Sequence, residues 1–324
     1  MLSPVLIFGA GMHHQVLSDP DIDSLGLHRE AEVLRSWSSL LQEVATRCGV
    51  PRAFDQCLCR EMPTLQWERL VQAYCDSGDK SLRSFESESK LRSILASVVR
   101  EAEQAVEPAI DFGKILELRE VLGRHAVSLN IDTLLSRERP GRLTSSADAK
   151  SHFAASHSAG TIWFPHGAVS RQSKITFGLR DYGRLPHGWG TVFKQFKQWE
   201  RQRARPTLER WNRGYFDDVR QEVSELPVGS SASFVAHLML APVIFFGASV
   251  SREEWGIWWL LTQRARNLAR APEHFRPPTA IIIESCNERL PFWSTRPANV
   301  SPIVVRDWNE GWVRLIDWLG TREE

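Results

Sequence analysis

Four short motifs carry residue types that could do chemistry: Gly9-Ala10-Gly11, Asn130-Ile131-Asp132, His166-Gly167 and Gly247-Ala248-Ser249. Each follows a short run of apolar residues. A Gly-Ala-Gly turn lets backbone approach a pyrophosphate, and a helix start behind it offers N–H groups to an anion. Here Gly9 and Gly11 are followed by His14 and not by the third glycine of G-x-G-x-x-G, so the turn reads equally as a plain tight turn. An imidazole is a base near neutral pH, and an asparagine side chain both donates and accepts hydrogen bonds. A carboxylate stabilises a cation that develops beside it. Asn and Asp just past a strand also cap turns and helices, so the shared position of the four motifs is more informative than any one of them.

The elements that must position these motifs follow from the apolar pattern. Pro4 to Phe8, His125 to Leu129, Thr161 to Phe164, Val243 to Phe246, Thr279 to Ile283 and Pro302 to Val305 read as short strands buried on both faces. Between residues 28 and 122 the apolar residues fall at helical spacing, as in Val33, Trp37, Leu40, Leu41 and Val44, then Leu91, Ile94, Leu95, Val98, Val99 and Ala102. Buried strands alternating with helices predict an α/β fold, a Rossmann-like doubly wound parallel sheet with a helical insertion after the first strand. The chain reads as one domain over 1–324, with the insertion at 12–123 and the rest of the sheet at 124–324. Ser251 with Glu254, and Asp307 with Glu310, have the spacing of helix-capping boxes. Residues 137–160, rich in Ser, Arg, Gly and Ala, read as a long loop.

Placed together, Ser128-Leu129-Asn130-Ile131-Asp132, Phe164-Pro165-His166-Gly167 and Phe246-Gly247-Ala248-Ser249-Val250-Ser251 resemble the sirtuin superfamily in order and approximate spacing. Sirtuins carry Asn-Ile-Asp or Asn-Tyr-Asp at the strand end that opens on the nicotinamide pocket. His166 matches their catalytic histidine, Gly247 and Ser249 their late Gly-x-Ser, and Gly9-Ala10-Gly11 their opening turn. Met12-His13 stands where the family usually has x-Ser, and the deacylase segment Gly-Ile-Pro-Asp-Phe-Arg and the two C-x-x-C zinc pairs are missing. What remains is similar to the prokaryotic sirtuin-like branch that hydrolyses NAD, often as the toxic effector of anti-phage defence.

The resemblance implies cleavage of the nicotinamide–ribose bond, with NAD as substrate and no metal. Its transition state is oxocarbenium-like, and the leaving group departs neutral without needing a proton. His166 is then the expected base, acting on water directly or through a ribose hydroxyl. Asn130 is expected to orient the water or ribose, and Asp132 to accept from the nicotinamide amide. Gly9, Ala10, Gly11, Met12 and His13 fall by the phosphates, although adjacent His13 and His14 also read as a solvated turn. Gly247 and Ser249 fall along the nucleotide, with Ser249 otherwise a turn cap, and Ser285 and Asn287 fall by the adenosine half. Arg180-Asp181-Tyr182 matches a polar-aromatic stretch of the branch. A homo-oligomer, or an operon-encoded partner such as a translocase ATPase, nuclease or Argonaute-like protein, is expected to gate the activity. Two rival functions remain: a non-catalytic nucleotide-binding subunit of a defence complex, and an NAD-dependent protein deacylase.

Composition narrows the field further. Across 324 residues, 40 basic and 39 acidic side chains leave a formal charge of +1, which removes bulk attraction to nucleic acid. The basic-aromatic stretch Lys194 to Arg213 reads as a helix with a solvated basic face. No run approaches the roughly 20 apolar residues of a membrane span; Phe234 to Val250 is broken by His237, Pro242, Gly247 and Ser249. With no basic leader at the N-terminus, a cytoplasmic protein is expected. Cys48, Cys57, Cys59, Cys75 and Cys286 support neither a disulfide framework nor a four-cysteine zinc site. Of 13 tryptophans, only Trp37 and Trp67 precede residue 160. Trp255, Trp258 and Trp259 share a helix face, so the tryptophans are expected to pack around the cleft and not to stack on bases.

Overall fold

The computed structural model describes residues 2–50, 62–77, 84–139, 142–143, 146–148, 153–156, 160–170, 175–177, 194, 198, 221, 223–226, 231–248, 250, 254–269, 273 and 276–320. Six strands form a parallel sheet: β1 (Val5–Phe8), β2 (His125–Ser128), β7 (Thr161–Phe164), β8 (Val243–Phe246), β9 (Thr279–Glu284) and β10 (Val300–Val305). Their spatial order is β10-β9-β8-β1-β2-β7. Counted along the chain from the β7 side, that is third, second, first, fourth, fifth, sixth, the order of the Rossmann-like doubly wound sheet. The order reverses between β1 and β8, which pair in register from Val5↔Val243 to Phe8↔Phe246.

The four-residue strands β1, β2, β7 and β8 are wholly buried because both faces are covered. Successive side chains point to opposite faces, so Leu6, Phe8, Ala126, Ile244 and Phe246 join one core while Val5, Ile7, Val127, Val243 and Phe245 join the other. The first core is capped by the β1–β2 connection: α1 (His13–Val16), α2 (Asp19–Leu25), α3 (His28–Arg35), α4 (Trp37–Arg47), α5 (Pro63–Ser77), α6 (Ser84–Ala105) and α7 (Phe112–Val121). The second is capped by α8 (Ser231–Leu240) and α9 (Trp255–Leu268), with Trp293 of α10 (Leu290–Ser294). Right-handed crossovers that leave the switch in opposite directions must cover opposite faces, which is the arrangement seen. The C-terminal α11 (Trp308–Gly320) returns to the first face through Trp312, Leu315 and Leu319. Among the described residues no helix is long and apolar enough to cross a membrane.

Two expectations are corrected. The segment expected as a loop at 137–160 contains β3 (Arg137–Arg139), β4 (Arg142–Leu143), β5 (Ser146–Asp148) and β6 (Phe153–Ser156). β5 and β6 extend the sheet antiparallel beyond β7, from Ser156↔Thr161 to Phe153↔Phe164. Small polar residues hid these strands because edge strands need little apolar content. The second correction concerns Glu254, which lies at the N-cap of α9 and not one turn inside it. The Asp307 cap of α11 does form: Asp307 Oδ1 accepts from the Glu310 N–H at 2.9 Å, while Glu310 accepts from the Arg306 N–H at 3.1 Å.

Trp37 lines the crevice as expected, whereas Trp163 and Trp258 pack in the core on the opposite face of the sheet. Trp163 stacks on Phe234 with ring centroids 4.6 Å apart, and Trp258 stacks on Trp293 at 5.5 Å. The side chain of Trp255 lies outside the described set, as do Cys57, Cys59 and the Lys194 to Arg213 stretch apart from Lys194 and Gln198. Trp163 also donates to His125 Nδ1 at 3.0 Å, so His125 is neutral and its Nε2–H donates to Ser233 Oγ at 2.8 Å. His237, edge-on to His125, donates from Nδ1 to the Ser233 carbonyl.

Burial disfavours the His237 imidazolium and pulls its pKa from 6.5 to about 4. A neutral buried histidine supports the fold fully above the unfolded value of 6.5, and that support is lost as pH falls towards about 4. The contribution reaches about 3 kcal/mol from the 1.36 kcal/mol per pKa unit. Denaturant melts from pH 7 to 4 should therefore show an acid limb that His237→Gln flattens; an equally steep limb in the variant would refute this source.

Candidate functional site

The sheet reverses direction where β1 and β8 end, and their two turns meet there backbone to backbone. Gly9 N–H donates to the Phe246 carbonyl at 3.2 Å and Gly11 N–H to the Gly247 carbonyl at 2.8 Å. A Cβ on Gly11 would lie 2.6 Å from Gly247 Cα, and one on Gly247 only 2.4 Å from Met12 N. Gly247 also holds φ at +59°, a conformation that suits glycine. These glycines permit close approach of two turns, and two N–H groups of the opening turn serve the neighbouring strand. The Met12 side chain is fully buried in the core.

The Asn130-Ile131-Asp132 motif leaves the end of β2 in a tight turn. Asn130 N–H donates to Ser128 Oγ at 3.2 Å, and the Ser128 hydroxyl donates back to the Asn130 carbonyl at 3.3 Å. Buried Glu103 of α6 accepts from both the backbone N–H and the hydroxyl of Thr133, which ties the motif to the helical insertion. The resulting crevice is small, about 20 Å³, room for about one water molecule, and is lined by Ala10, Asn130, Ile131 and Asp132 below, and by Ser36, Trp37 and apolar side chains of α3, α4 and α6 above. Inside it the Asn130 side-chain nitrogen is buried and has no hydrogen-bond partner in the protein.

Asp132 is held through one carboxylate oxygen: its Oδ1 lies 3.1 Å from His13 Nε2 and accepts the Leu134 N–H at 3.2 Å. His13 is fully buried, so the solvated-turn reading fails for it, whereas neighbouring His14 is exposed. Burial opposes charge on His13, but the Asp132 carboxylate and its hydrogen bond outweigh that and raise its pKa. α1 begins at His13, and its first turn carries one imidazole inward and the next outward.

His166 follows β7 on a loop fastened to the same motif, because the Val169 N–H donates to the Ile131 carbonyl at 2.8 Å. Gly167 takes φ of +79°, which turns the chain back directly after the histidine. The His166 ring is buried, and its Nε2 lies 3.1 Å from Glu254 Oε2. Glu254 was hidden in the sequence because its position also satisfies a helix-start pattern. Its N-cap makes no side-chain cap hydrogen bond, and the carboxylate turns to His166.

The structure thus brings Ala10, Asn130 and Asp132 to one crevice, sets His13 against Asp132, and ties the His166 loop to the motif. Ser285 and Asn287 follow β9, on the far side of β8 from this crevice; Asn287 Oδ1 accepts the Arg289 N–H at 2.9 Å and shapes a turn. Ser249 and Arg180-Asp181-Tyr182 lie outside the described residues. Among the described residues no three His, Cys, Asp or Glu side chains gather as a metal site. The fold and the crevice define a Rossmann-like α/β protein with polar groups at the carboxyl ends of its parallel strands, where such sheets bind ligands. The chain matches no protein-family model and no curated protein, so the reading of this site rests on its own geometry.

Two substitutions separate the site's scaffold from its chemistry. Gly247→Ala should lower the unfolding free energy by at least about 2 kcal/mol, from the left-handed φ and the clash with Met12. Asn130→Leu removes an unpaired buried amide and should leave stability unchanged or raise it by about 1 kcal/mol. Denaturant melts read both, and a large loss in the Asn130 variant would mark that residue as structural.

Proposed function

We propose that the chain is an NAD hydrolase that cleaves the nicotinamide–ribose bond, with Asn130 and His166 as its catalytic residues. The observation that carries the reading is the buried, unpartnered Asn130 amide, in a crevice at the carboxyl end of β2, beside the loop after β7 that holds His166. Leaving a donor desolvated costs about 1–3 kcal/mol, and a ligand that accepts from it recovers that cost on binding. The crevice offers one aromatic wall, Trp37, and one amide beside space for about one water, so a nucleotide enters only as the roof helices open further.

NAD supplies a pyridinium leaving group that takes the bonding electron pair from the ribose carbon and departs neutral. Asn130 orients the ribose or the incoming water through its side-chain amide. His166 accepts the proton that the water loses as its oxygen bonds to the ribose carbon, directly or through a ribose hydroxyl. One water is consumed, and nicotinamide, ADP-ribose and one proton are released. The Asp132 carboxylate, bonded to His13, braces the motif from behind, and the roof from α3, α4 and α6 limits water in the crevice.

A second reading has its own observation. Gly9 and Gly11 spend their N–H groups on β8, and Asp132 is paired with His13, as fits a subunit that binds a nucleotide without turning it over. Incubating the purified protein with NAD, alone and with the product of a neighbouring gene, and following nicotinamide release distinguishes the two. Hydrolysis that falls at least about 100-fold in both Asn130→Ala and His166→Ala is the expected result. Turnover unchanged by both substitutions would refute the site, and NAD binding without turnover would favour the second reading.

A further inference from the structure

We infer that Glu254 is a positioning residue for His166: its carboxylate accepts the Nε2–H, holds the ring in one tautomer and leaves Nδ1 as the nitrogen that takes a proton. This rests on the reading of His166 as the base. The two side chains are 88 residues apart in sequence yet meet at 3.1 Å, with exposures of only 3% for His166 and 14% for Glu254. They join the carboxyl end of β7 to the start of α9, which follows β8, and β1 and β2 lie between those strands.

The local structure argues against a plain helix-start role for Glu254. An acidic residue before a helix is favoured by the helix dipole, and it usually accepts from the helix's own first N–H groups. Glu254 makes no such bond. The segment leading to it also carries a conformational cost. Val250, buried and β-branched, has φ of +35°. Such a backbone costs about 1–3 kcal/mol and persists where the surroundings hold it. Here the surroundings include the contact that the segment delivers.

The chemistry balances with both groups in these roles. The Nε2–H stays on His166 throughout, hydrogen-bonded to an ionised Glu254. Nδ1 accepts the proton from water, and the Glu254 charge stabilises the imidazolium so formed. Because Nδ1 is buried, the proton leaves it for a water molecule admitted as product departs, and Glu254 is not the acceptor.

Two independent readouts test this in the full chain. Long-range ¹H–¹⁵N spectra of labelled protein without substrate should show His166 as the Nε2–H tautomer, and Glu254→Ala should mix the tautomers. In nicotinamide-release kinetics, Glu254→Ala should lower kcat at least about tenfold with KM within about twofold, while Glu254→Asp restores most of the loss. If Glu254→Ala does not fold, Glu254→Gln carries the test, keeping the shape but losing the charge and the same tenfold in kcat. A wild-type Nδ1–H tautomer, or kcat unchanged in a folded Glu254 variant, overturns the inference. Failure of the hydrolase reading looks different: no turnover in the wild type, with the tautomer measurement still deciding whether Glu254 orients His166.

Discussion

The close contact between the Gly9-Ala10-Gly11 turn and Gly247 is the constraint on which the site depends. A parallel sheet that reverses its strand order leaves a gap where the two connections part, and the depth of that gap is set by how closely the turns at its floor can approach. Here they approach until a single Cβ on Gly11 or Gly247 would overlap backbone. Two hydrogen bonds then lock β1 to β8 beyond the end of the ladder. With that floor fixed, the turn after β2 comes within reach of the first residues of α1, and Asp132 can meet His13.

The helical insertion gives the site its roof and its rigidity. Seven described α-helices between β1 and β2 cover one face of the sheet, and three of them line the crevice. Their polar contribution is small and specific: Glu103 secures Thr133, and Ser36 caps α4 by accepting the Ser39 N–H at 3.3 Å. Buried carboxylates of this kind are expensive to desolvate, and they add orientation more reliably than stability. Two buried histidine–carboxylate pairs, His13–Asp132 and His166–Glu254, flank the Asn130 turn.

The aromatic residues frame this arrangement without taking part in it, with one exception. Trp163 and Trp258 are absorbed by the core opposite the insertion, and Trp312 lies edge-on to Phe246 in the other. Trp37 lies at the roof of the crevice and packs edge-on against Phe177 at 4.9 Å, with Trp67 on the other side of that ring. The only two tryptophans in the first half of the chain thus gather on one phenylalanine beside the site.

Much of the fold was legible in the order of residues. Short unbroken apolar runs marked all six parallel strands, because a strand covered on both faces has no polar side to display. Helical periodicity marked the insertion, and Asp307 with Glu310 marked the start of α11. Asn130 and His166 could be singled out because polar residues directly after buried strands converge in such a sheet. Other features were beyond its reach. The edge strands β5 and β6 carry little apolar signal, since an edge needs backbone pairing more than side-chain burial. The partners of the site residues lie 88 and 119 residues away in sequence, and such pairings are set by strand order and loop path. The sequence by itself determined which side chains stand at strand ends; the tertiary structure alone decided that His13 turns inward to Asp132 and Glu254 reaches His166, because burial leaves each imidazole one carboxylate within hydrogen-bonding distance.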